Sequence, residues 1–146
     1  MKKSALFLSL SLALLAQTPP TVQTVCDECG NTFMWQDIRA NKELLFSWEE
    51  AREYCEDLRF HGYEDWWLPE ENQLALLVDM KRKKGKRILK QFKYFKPAPY
   101  WTATTYAFNA PHAWFIDFEN GYSQSETKDK KFFVRCFRRV ETKKAD

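Results

Sequence analysis

Four cysteines, Cys26, Cys29, Cys55 and Cys136, carry the most obvious chemistry of this sequence. Cys26 and Cys29 form a C-x-x-C pair, a spacing that suits a short disulfide, thiol–disulfide exchange or two ligands of a zinc ion. Three pairings are possible in an oxidising compartment, and the spacing favours Cys26 with Cys29 and Cys55 with Cys136. The second bond would join positions 81 apart (136 minus 55). It would stabilise the fold by about 4 kcal/mol by constraining the unfolded chain.

The redox and metal alternatives for the C-x-x-C pair each lack a component. Gly30 and Asn31 predict a turn after Cys29, whereas a thioredoxin-like pair opens a helix. Gly30 also stands where covalent haem attachment needs a histidine. The further zinc ligands that the sequence offers are Cys55, Cys136, His61 and His112. We therefore predict a structural disulfide, with thiol exchange as the alternative, and no metal or cofactor.

The sequence offers little for catalysis. His61 and His112 lie in no zinc-protease or nucleophile motif. The carboxylate pairs at 49–50 and 70–71 fall at predicted helix starts, where capping and the helix dipole explain them. We predict that the protein is not an enzyme.

A strongly basic segment is the better candidate for a binding site. Residues 81–96 contain nine bases and no acid, whereas residues 41–80 contain eleven acids and three bases. The candidate ligand-binding residues are Lys81, Arg82, Lys83, Lys84, Lys86, Arg87, Lys90, Lys93, Lys96 and Tyr94. The cations suit phosphate or sulfate groups, and the interleaved rings of Phe92, Tyr94 and Phe95 could stack on a ligand. The alternative is a solvated loop whose rings anchor it to the core.

Length and composition indicate one globular domain. The chain has 146 residues, of which 45% are hydrophobic and 29% charged, so collagen-like and wholly disordered classes are excluded. Twelve Phe, six Tyr and six Trp accompany only four Gly. The core is therefore expected to consist largely of aromatic rings.

The first 16 residues are typical of a secretory signal peptide. Lys2 and Lys3 precede an apolar run over residues 5–16, which is shorter than the roughly 20 residues that span a bilayer. An uncleaved anchor is the alternative. Cleavage leaves 21 bases and 20 acids, a net charge of about +1, and no expected transmembrane segment. A periplasmic or secreted location favours a sulfated glycan, lipopolysaccharide or an acidic protein surface as partner, and we expect no nucleic acid.

Sequence patterns predict an α+β fold with two helices packed on a twisted antiparallel sheet. The predicted strands cover residues 32–37, 100–104, 113–118, 122–125 and 132–138, with a hairpin turn at Asn120-Gly121. Ser47 and Glu50 form a capping box that opens the first helix, which is expected to end at residues 61–63. The second helix is predicted over residues 70–84. Strand alternation at the C-terminus predicts that Arg135 points outward if Cys136 points inward.

A set of ordered motifs resembles the Lcl C-terminal domain family, a domain of unknown function whose fold is related to C-type lectins. The motifs are Phe33-Met34-Trp35-Gln36, Trp48-x-x-Ala51-x-x-x-Cys55-x-x-Leu58, Gly62-Tyr63-x-Asp65-Trp66-x-Leu68-Pro69, Tyr100-Trp101-Thr102-x-Thr104, Ala113-Trp114, Asn120-Gly121 and Val134-Arg135-Cys136. The resemblance covers residues 26–139 and leaves 140–146 as a polar tail. The residues expected to carry the structural motif are Trp35, Trp48, Gly62, Asp65, Trp66, Pro69, Trp101, Trp114 and Gly121.

The resemblance implies a C-type lectin-like fold, a bond between Cys55 on the first helix and Cys136 on the last strand, and a non-enzymatic binding module. The sequence departs from the family pattern at Trp67, Gln73 and Ala103, where Arg, Glu and Ser are frequent. The calcium and sugar motifs of true lectins are absent from the sequence. Asp117, Glu119 and Asn120 could supply oxygen ligands to calcium, but a solvated turn is the preferred interpretation of these residues.

Overall fold

The computed structural model describes residues 21–141, an α+β arrangement of six strands and short helices. The predicted signal peptide lies outside the described residues, as do positions 142–146 of the tail. The strands are β1 (Thr21–Cys26), β2 (Thr32–Asp37), β3 (Pro99–Thr105), β4 (His112–Asp117), β5 (Tyr122–Thr127) and β6 (Phe137–Val140). The helices are α1 (Ala40–Glu43), α2 (Trp48–Glu56) and α3 (Glu71–Leu74), which continues as a 3₁₀ turn over Ala75–Leu77.

The first sheet has the strand order β1-β2-β6 and is antiparallel throughout. Asp27 closes the β1–β2 hairpin, because its carboxylate accepts hydrogen bonds from the backbone N–H groups of Cys29 and Asn31 at 3.0 and 2.8 Å. The predicted strand over residues 32–37 is confirmed as β2. β1 was not predicted, and it begins before the predicted domain start at Cys26.

The second sheet has the order β3-β4-β5 and contains the first three strands of the predicted meander. The prediction of a single sheet is wrong, because β6 pairs with β2 and joins the first sheet instead. The hairpin at Asn120-Gly121 is confirmed, and the strands β4 and β5 close it at Asp117 and Tyr122. Gly121 adopts φ +82° and lies against the neighbouring loop, where a Cβ atom would approach Met80 Sδ to 2.5 Å. The positive φ therefore favours glycine, and a Cβ atom there would also force the Met80 side chain to move.

Helix α2 forms where the sequence predicts it, although it ends earlier. Ser47 and Glu50 make the reciprocal hydrogen bonds of a capping box, and Trp48, Ala51 and Cys55 are buried on one face. The helix ends at Glu56 rather than at 61–63, where positive φ angles at His61 and Gly62 form a separate turn.

The predicted helix over residues 70–84 is wrong beyond Leu77. Val78 is extended and forms a β-bridge with Ile88, so the chain leaves the helix and folds back. The lysines that were expected to complement a helix C-terminus lie instead on a loop. The long-range bridge outweighs the helical preference of the basic run.

The C-terminal prediction is also only partly correct. Residues 132–136 form isolated bridges and irregular backbone, and β6 begins at Phe137. Strand alternation does not apply to that stretch, and the prediction that Arg135 points outward is wrong because Arg135 is fully buried.

Two aromatic-rich clusters form the core. One contains Trp35, Tyr100 and Phe118, and the other surrounds the Cys55–Cys136 disulfide with Trp48, Trp66 and Trp101. The second cluster lies between α2 and the β3–β4 part of the meander, so it ties the first long helix to the second sheet.

Candidate functional site

The basic segment, residues 81–96, is a loop whose backbone is tied to the second sheet. Gly85 and Arg87 donate backbone hydrogen bonds to the carbonyls of Glu119 and Phe118 at 2.8 and 3.1 Å, and Leu89 donates to Leu77 at 2.8 Å. These contacts fix the basic segment on the β4–β5 turn.

The lysines and arginines of the basic segment have different roles. Arg82 donates from its guanidinium to the carbonyl of Ile88 at 2.6 Å, and Arg87 donates to the carbonyl of Met80. Both arginines therefore brace the loop. The exposed members are all lysines: Lys81, Lys83, Lys84, Lys86, Lys90, Lys93 and Lys96.

Carboxylates are scarce around these lysines. Among residues 21–141, Lys84 is the one member of the set with a carboxylate within 4 Å, at 4.0 Å from Glu119. The local positive charge is therefore almost uncompensated by ion pairs within the described chain.

The rings of the basic segment face the protein rather than solvent. Phe92 is buried in the first core cluster, Phe95 packs against it, and Tyr94 is half-buried beneath the ammonium of Lys42, 5.8 Å from the ring centroid. Tyr94 thus lies beside the candidate surface but does not offer a fully open ring. The anchoring alternative is correct for Phe92 and Phe95.

A buried polar cluster anchors the far half of the basic segment. The Asp37 carboxylate accepts from the backbone N–H groups of Lys93 and Tyr94 at 3.1 and 2.9 Å, and the Arg135 guanidinium donates to the Tyr94 carbonyl at 2.5 Å. Asp37 and Arg135 are fully buried and 3.5 Å apart. The Tyr100 hydroxyl accepts from the backbone N–H of Lys96 at 3.0 Å.

Burial shifts the pKa values of Arg135 and Tyr100 in this cluster. Desolvation lowers the pKa of Arg135 from its ordinary value, and the nearby Tyr100 and Asp37 oppose that shift. Burial likewise raises the pKa of Tyr100. Both directions are the expected result of removing a charge from water. The guanidinium also lies 4.7 Å from the Phe92 ring centroid, a cation–π distance.

Sequence reasoning missed the anchoring role of Asp37 and Arg135. Asp37 was predicted only as the last residue of the strand over 32–37, and Arg135 was assigned to an outward strand position. The one available signal was a charged residue between two residues of a buried motif, Val134-Arg135-Cys136.

The two cysteine pairs differ. The bond between Cys55 and Cys136 is confirmed, with the Cα atoms 5.5 Å apart. Cys26 and Cys29 are exposed free thiols, so the expected bond between them is not formed. Cys26 ends β1 and its Sγ lies 3.4 Å from Thr32 Oγ1, while Cys29 lies in the turn that Asp27 closes.

The motif tryptophans are structural. Trp48, Trp66 and Trp101 are buried, and each indole N–H donates to a backbone carbonyl. Trp35 is buried in the other cluster. Trp114 is half-buried, and its ring packs edge-on against the Tyr106 ring with 5.2 Å between the ring centroids. These rings therefore pack against the rest of the protein and stabilise its fold.

The Gly62–Pro69 motif holds β6 in place. Asp65 forms a two-point ion pair with Arg138, with distances of 2.7 and 3.0 Å, and Arg138 stacks 3.7 Å from the Tyr63 ring centroid. The hydrogen bonds from Arg138 hold the pKa of Asp65 below its ordinary value. Gly62 supplies φ +79° for the turn, and the Pro69 carbonyl accepts from the backbone N–H of Ala103 at 2.7 Å.

Two adjoining cavities, which we call the Trp67 groove, share Trp67, Gln73 and Phe137 in their walls. The first has a volume of about 430 Å³ and extends to Asn31, Asn72 and Arg139. The second has a volume of about 510 Å³ and extends to Trp48, Arg52, Glu70 and Ala103. The three departures from the family pattern, at Trp67, Gln73 and Ala103, therefore meet in one groove. Sequence reasoning did not identify this groove.

Among the described residues, no cluster of three or more His, Cys, Asp or Glu side chains could hold a metal ion. In the 117–120 turn, Asp117 and Asn120 use their side-chain oxygens to accept backbone N–H groups at 2.9 Å each. Within residues 21–141, no helix is both long and apolar enough to cross a membrane.

The described residues form an α+β domain in which a disulfide joins α2 to the segment that precedes β6. The model of the Lcl C-terminal domain matches residues 23–138, so the chain belongs to the Lcl C-terminal domain family. No curated protein matches the chain.

Proposed function

We propose that the protein is an exported, non-enzymatic binding module that recognises a polyanionic glycan through the lysines of the basic segment. The observation that carries the proposal is the separation of roles within that segment: the arginines brace the loop and the lysines are exposed. A pre-ordered loop loses little conformational entropy on binding, so the ordering of the loop offsets little of the binding free energy.

Electrostatics supports a polyanion over a small anion. The lysines are spread along a segment of sixteen positions, 81–96, rather than gathered in one pocket. An extended polymer with repeated sulfate or phosphate groups can engage several of them at once and release counterions. The half-buried Tyr94 contributes packing below the lysines rather than stacking.

Export and a C-type lectin-like fold form part of the proposal. The Cys55–Cys136 disulfide is typical of proteins that mature in an oxidising compartment, which favours the predicted signal peptide. A bond between the first long helix and the C-terminal part of the chain, together with family membership, supports the lectin-like assignment. Lipopolysaccharide headgroups and an acidic protein surface are the competing partners.

The test is retention of the full chain on immobilised dextran sulfate, with uncharged dextran as the matrix control. The test variant replaces Lys83, Lys84 and Lys86 with Ser and leaves the bracing arginines intact. It should elute at a markedly lower salt concentration than the native protein, because three phosphate- or sulfate-seeking charges are lost.

The matched control replaces Arg59, Lys130 and Lys131 with Ser and removes the same total charge. Lys130 and Lys131 follow β5 and so lie at the opposite end of the β4–β5 hairpin from the basic segment. The control should elute close to the native protein. Equal retention of all three proteins, or equal loss in both variants, would refute a local site. Displacement by lipopolysaccharide at a much lower concentration of anionic groups than free dextran sulfate requires would assign the site to headgroups.

Thiol exchange is the second candidate, and the exposure of Cys26 and Cys29 favours it. Asp27, which follows Cys26 in the sequence, has its pKa lowered by the hydrogen bond from the Asn31 side chain. Native-state alkylation tests the candidate: rapid modification near neutral pH supports exchange, and modification only at alkaline pH refutes it.

A further inference from the structure

We propose that the Trp67 groove is a second binding site, which takes an uncharged glycan chain by stacking a sugar ring on the indole of Trp67. The proposal concerns a surface that shares no wall residue with the basic segment. It therefore goes beyond the polyanion site and does not depend on it.

Trp67 is an exposed aromatic on a fixed backbone. Its side chain is 55% exposed, although the residues on either side in the chain, Trp66 and Leu68, are buried. Its backbone N–H and carbonyl both pair with Phe137, at 2.8 and 3.0 Å. These hydrogen bonds fix the backbone from which the indole projects. A ligand that stacks on the ring therefore gains apolar contact area, and the backbone loses little conformational entropy on binding.

The groove has the size and shape of a site for several linked units. Its two cavities, of about 430 and 510 Å³, meet at Trp67, Gln73 and Phe137. Each volume alone falls in the range of small-molecule pockets, and the platform lies where the two join. A chain molecule that crosses Trp67 would therefore occupy both sides.

Four of the five carboxylates in the groove walls, all except Glu141, are engaged by other described residues, which argues against a cationic ligand. Asp65 is paired with Arg138, and Glu56 lies 3.5 Å from Arg52. Asp27 accepts three hydrogen bonds at the hairpin turn, and Glu70 accepts one from the Thr104 hydroxyl at 2.5 Å. A bound cation would have to displace these internal partners.

An anionic ligand fits no better. Acidic side chains outnumber the two arginines, Arg52 and Arg139, in the walls of the cavities. Like charges close to one another oppose binding, so sulfate or phosphate polymers should avoid the groove.

Amide groups remain available for a neutral ligand. Asn72 is exposed and makes no side-chain hydrogen bond to another described residue, and Gln73 uses only its Oε1, which accepts from the backbone N–H of Glu70 at 2.9 Å. Each amide group both donates and accepts, as sugar hydroxyls do. An exposed ring beside such groups matches a pyranose, which has an apolar face and a hydroxyl rim.

The experiment is calorimetric or NMR titration of the full chain with three neutral probes, the hexasaccharides of β-1,4-glucose, α-1,4-glucose and β-1,4-N-acetylglucosamine. We expect at least one of them to bind. Trp67→Ala should weaken that binding by about tenfold or more, equivalent to about 1.4 kcal/mol. Asn72→Ala should weaken it several-fold. Phe108→Ala is the matched control, because Phe108 is 90% exposed and lies outside the groove.

Salt separates this site from the basic segment. Binding of the neutral hexasaccharide should be unchanged between about 50 and 500 mM NaCl, and unchanged in the variant with Ser at 83, 84 and 86. Failure of all three probes to bind at about 5 mM would overturn the proposal. Equal affinity in Trp67→Ala, or the loss of binding at high salt, would overturn it as well. If Trp67→Ala does not fold, Asn72→Ala and Trp67→Phe replace it, and we expect a several-fold weaker affinity for the first and partial retention of affinity for the second.

Discussion

Replacement of Arg135 by Met tests how the protein holds its basic segment. The guanidinium is fully buried, lies 3.5 Å from the Asp37 carboxylate and donates to the carbonyls of Gln36 and Tyr94. Methionine has a similar length and no charge, so the substitution leaves Asp37 as an unpaired buried carboxylate and deprives two carbonyls of their donor. The substitution therefore removes hydrogen bonds and a counter-charge, while it changes the side-chain volume little.

The expected cost follows from these contacts. Breaking a buried pair by removing one partner costs about 3 to 5 kcal/mol. Asp37 would keep the hydrogen bonds from the backbone N–H groups of Lys93 and Tyr94 and from the Gln23 amide at 3.0 Å, so the lower end applies. We expect a loss of about 3 kcal/mol, which a domain with an ordinary stability of about 5 to 15 kcal/mol would survive.

The assays are urea unfolding and limited trypsin digestion. Arg135→Met should lower the urea midpoint and speed cleavage after the lysines of the basic segment, since the backbone around Tyr94 loses an anchor. Asp37→Asn combined with Arg135→Met should cost less than the sum of the single changes, with a coupling of about 1 to 3 kcal/mol. Arg39→Met, at an exposed site, is the control and should change stability by less than about 0.5 kcal/mol. A loss below about 1 kcal/mol for Arg135→Met, or unchanged cleavage of the basic segment, would refute the anchoring role.

Three further predictions concern stability. Replacement of Cys55 and Cys136 together by Ala should lower the free energy of unfolding by about 4 kcal/mol in urea titrations, because the bond closes a span of 81 positions; a loss below about 1 kcal/mol would contradict this. Asp65→Asn should destabilise the protein by less than about 1 kcal/mol at neutral pH. Its pKa is depressed in the folded protein, so the contribution is present above the ordinary pKa and disappears as the pH falls through the folded pKa; a difference from the native protein that persists in strong acid would be inconsistent. Gly121→Ala should cost about 1 to 2 kcal/mol because of its φ of +82° and the crowded loop, and an unchanged thermal midpoint would exclude both reasons.

Local signals predicted the elements that local physics governs. The capping box at Ser47, the alternation of β2 and the Asn120-Gly121 turn each depend on residues close in sequence, and each forms as predicted. The Cys55–Cys136 bond followed from spacing and from family resemblance, and it also forms.

Long-range contacts explain what the sequence did not predict. The basic run has good helix formers, but Val78 pairs with Ile88 and ends the helical stretch early. Arg135 is buried because Asp37, nearly a hundred positions earlier, supplies its counter-charge. The Trp67 groove joins residues from β2, the α3 region and β6, which no local pattern places together.

The salt dependence of affinity for dextran sulfate tests the central claim most directly. For a polyanion site on the basic segment, we expect the logarithm of the binding constant to fall steeply and linearly with the logarithm of the salt concentration. Serine at positions 83, 84 and 86 should reduce that slope by about 2, since each lost contact removes somewhat less than one released counterion. The control variant with Ser at 59, 130 and 131 should keep the native slope. Identical slopes for the native protein and the first variant would contradict a polyanion site on the basic segment.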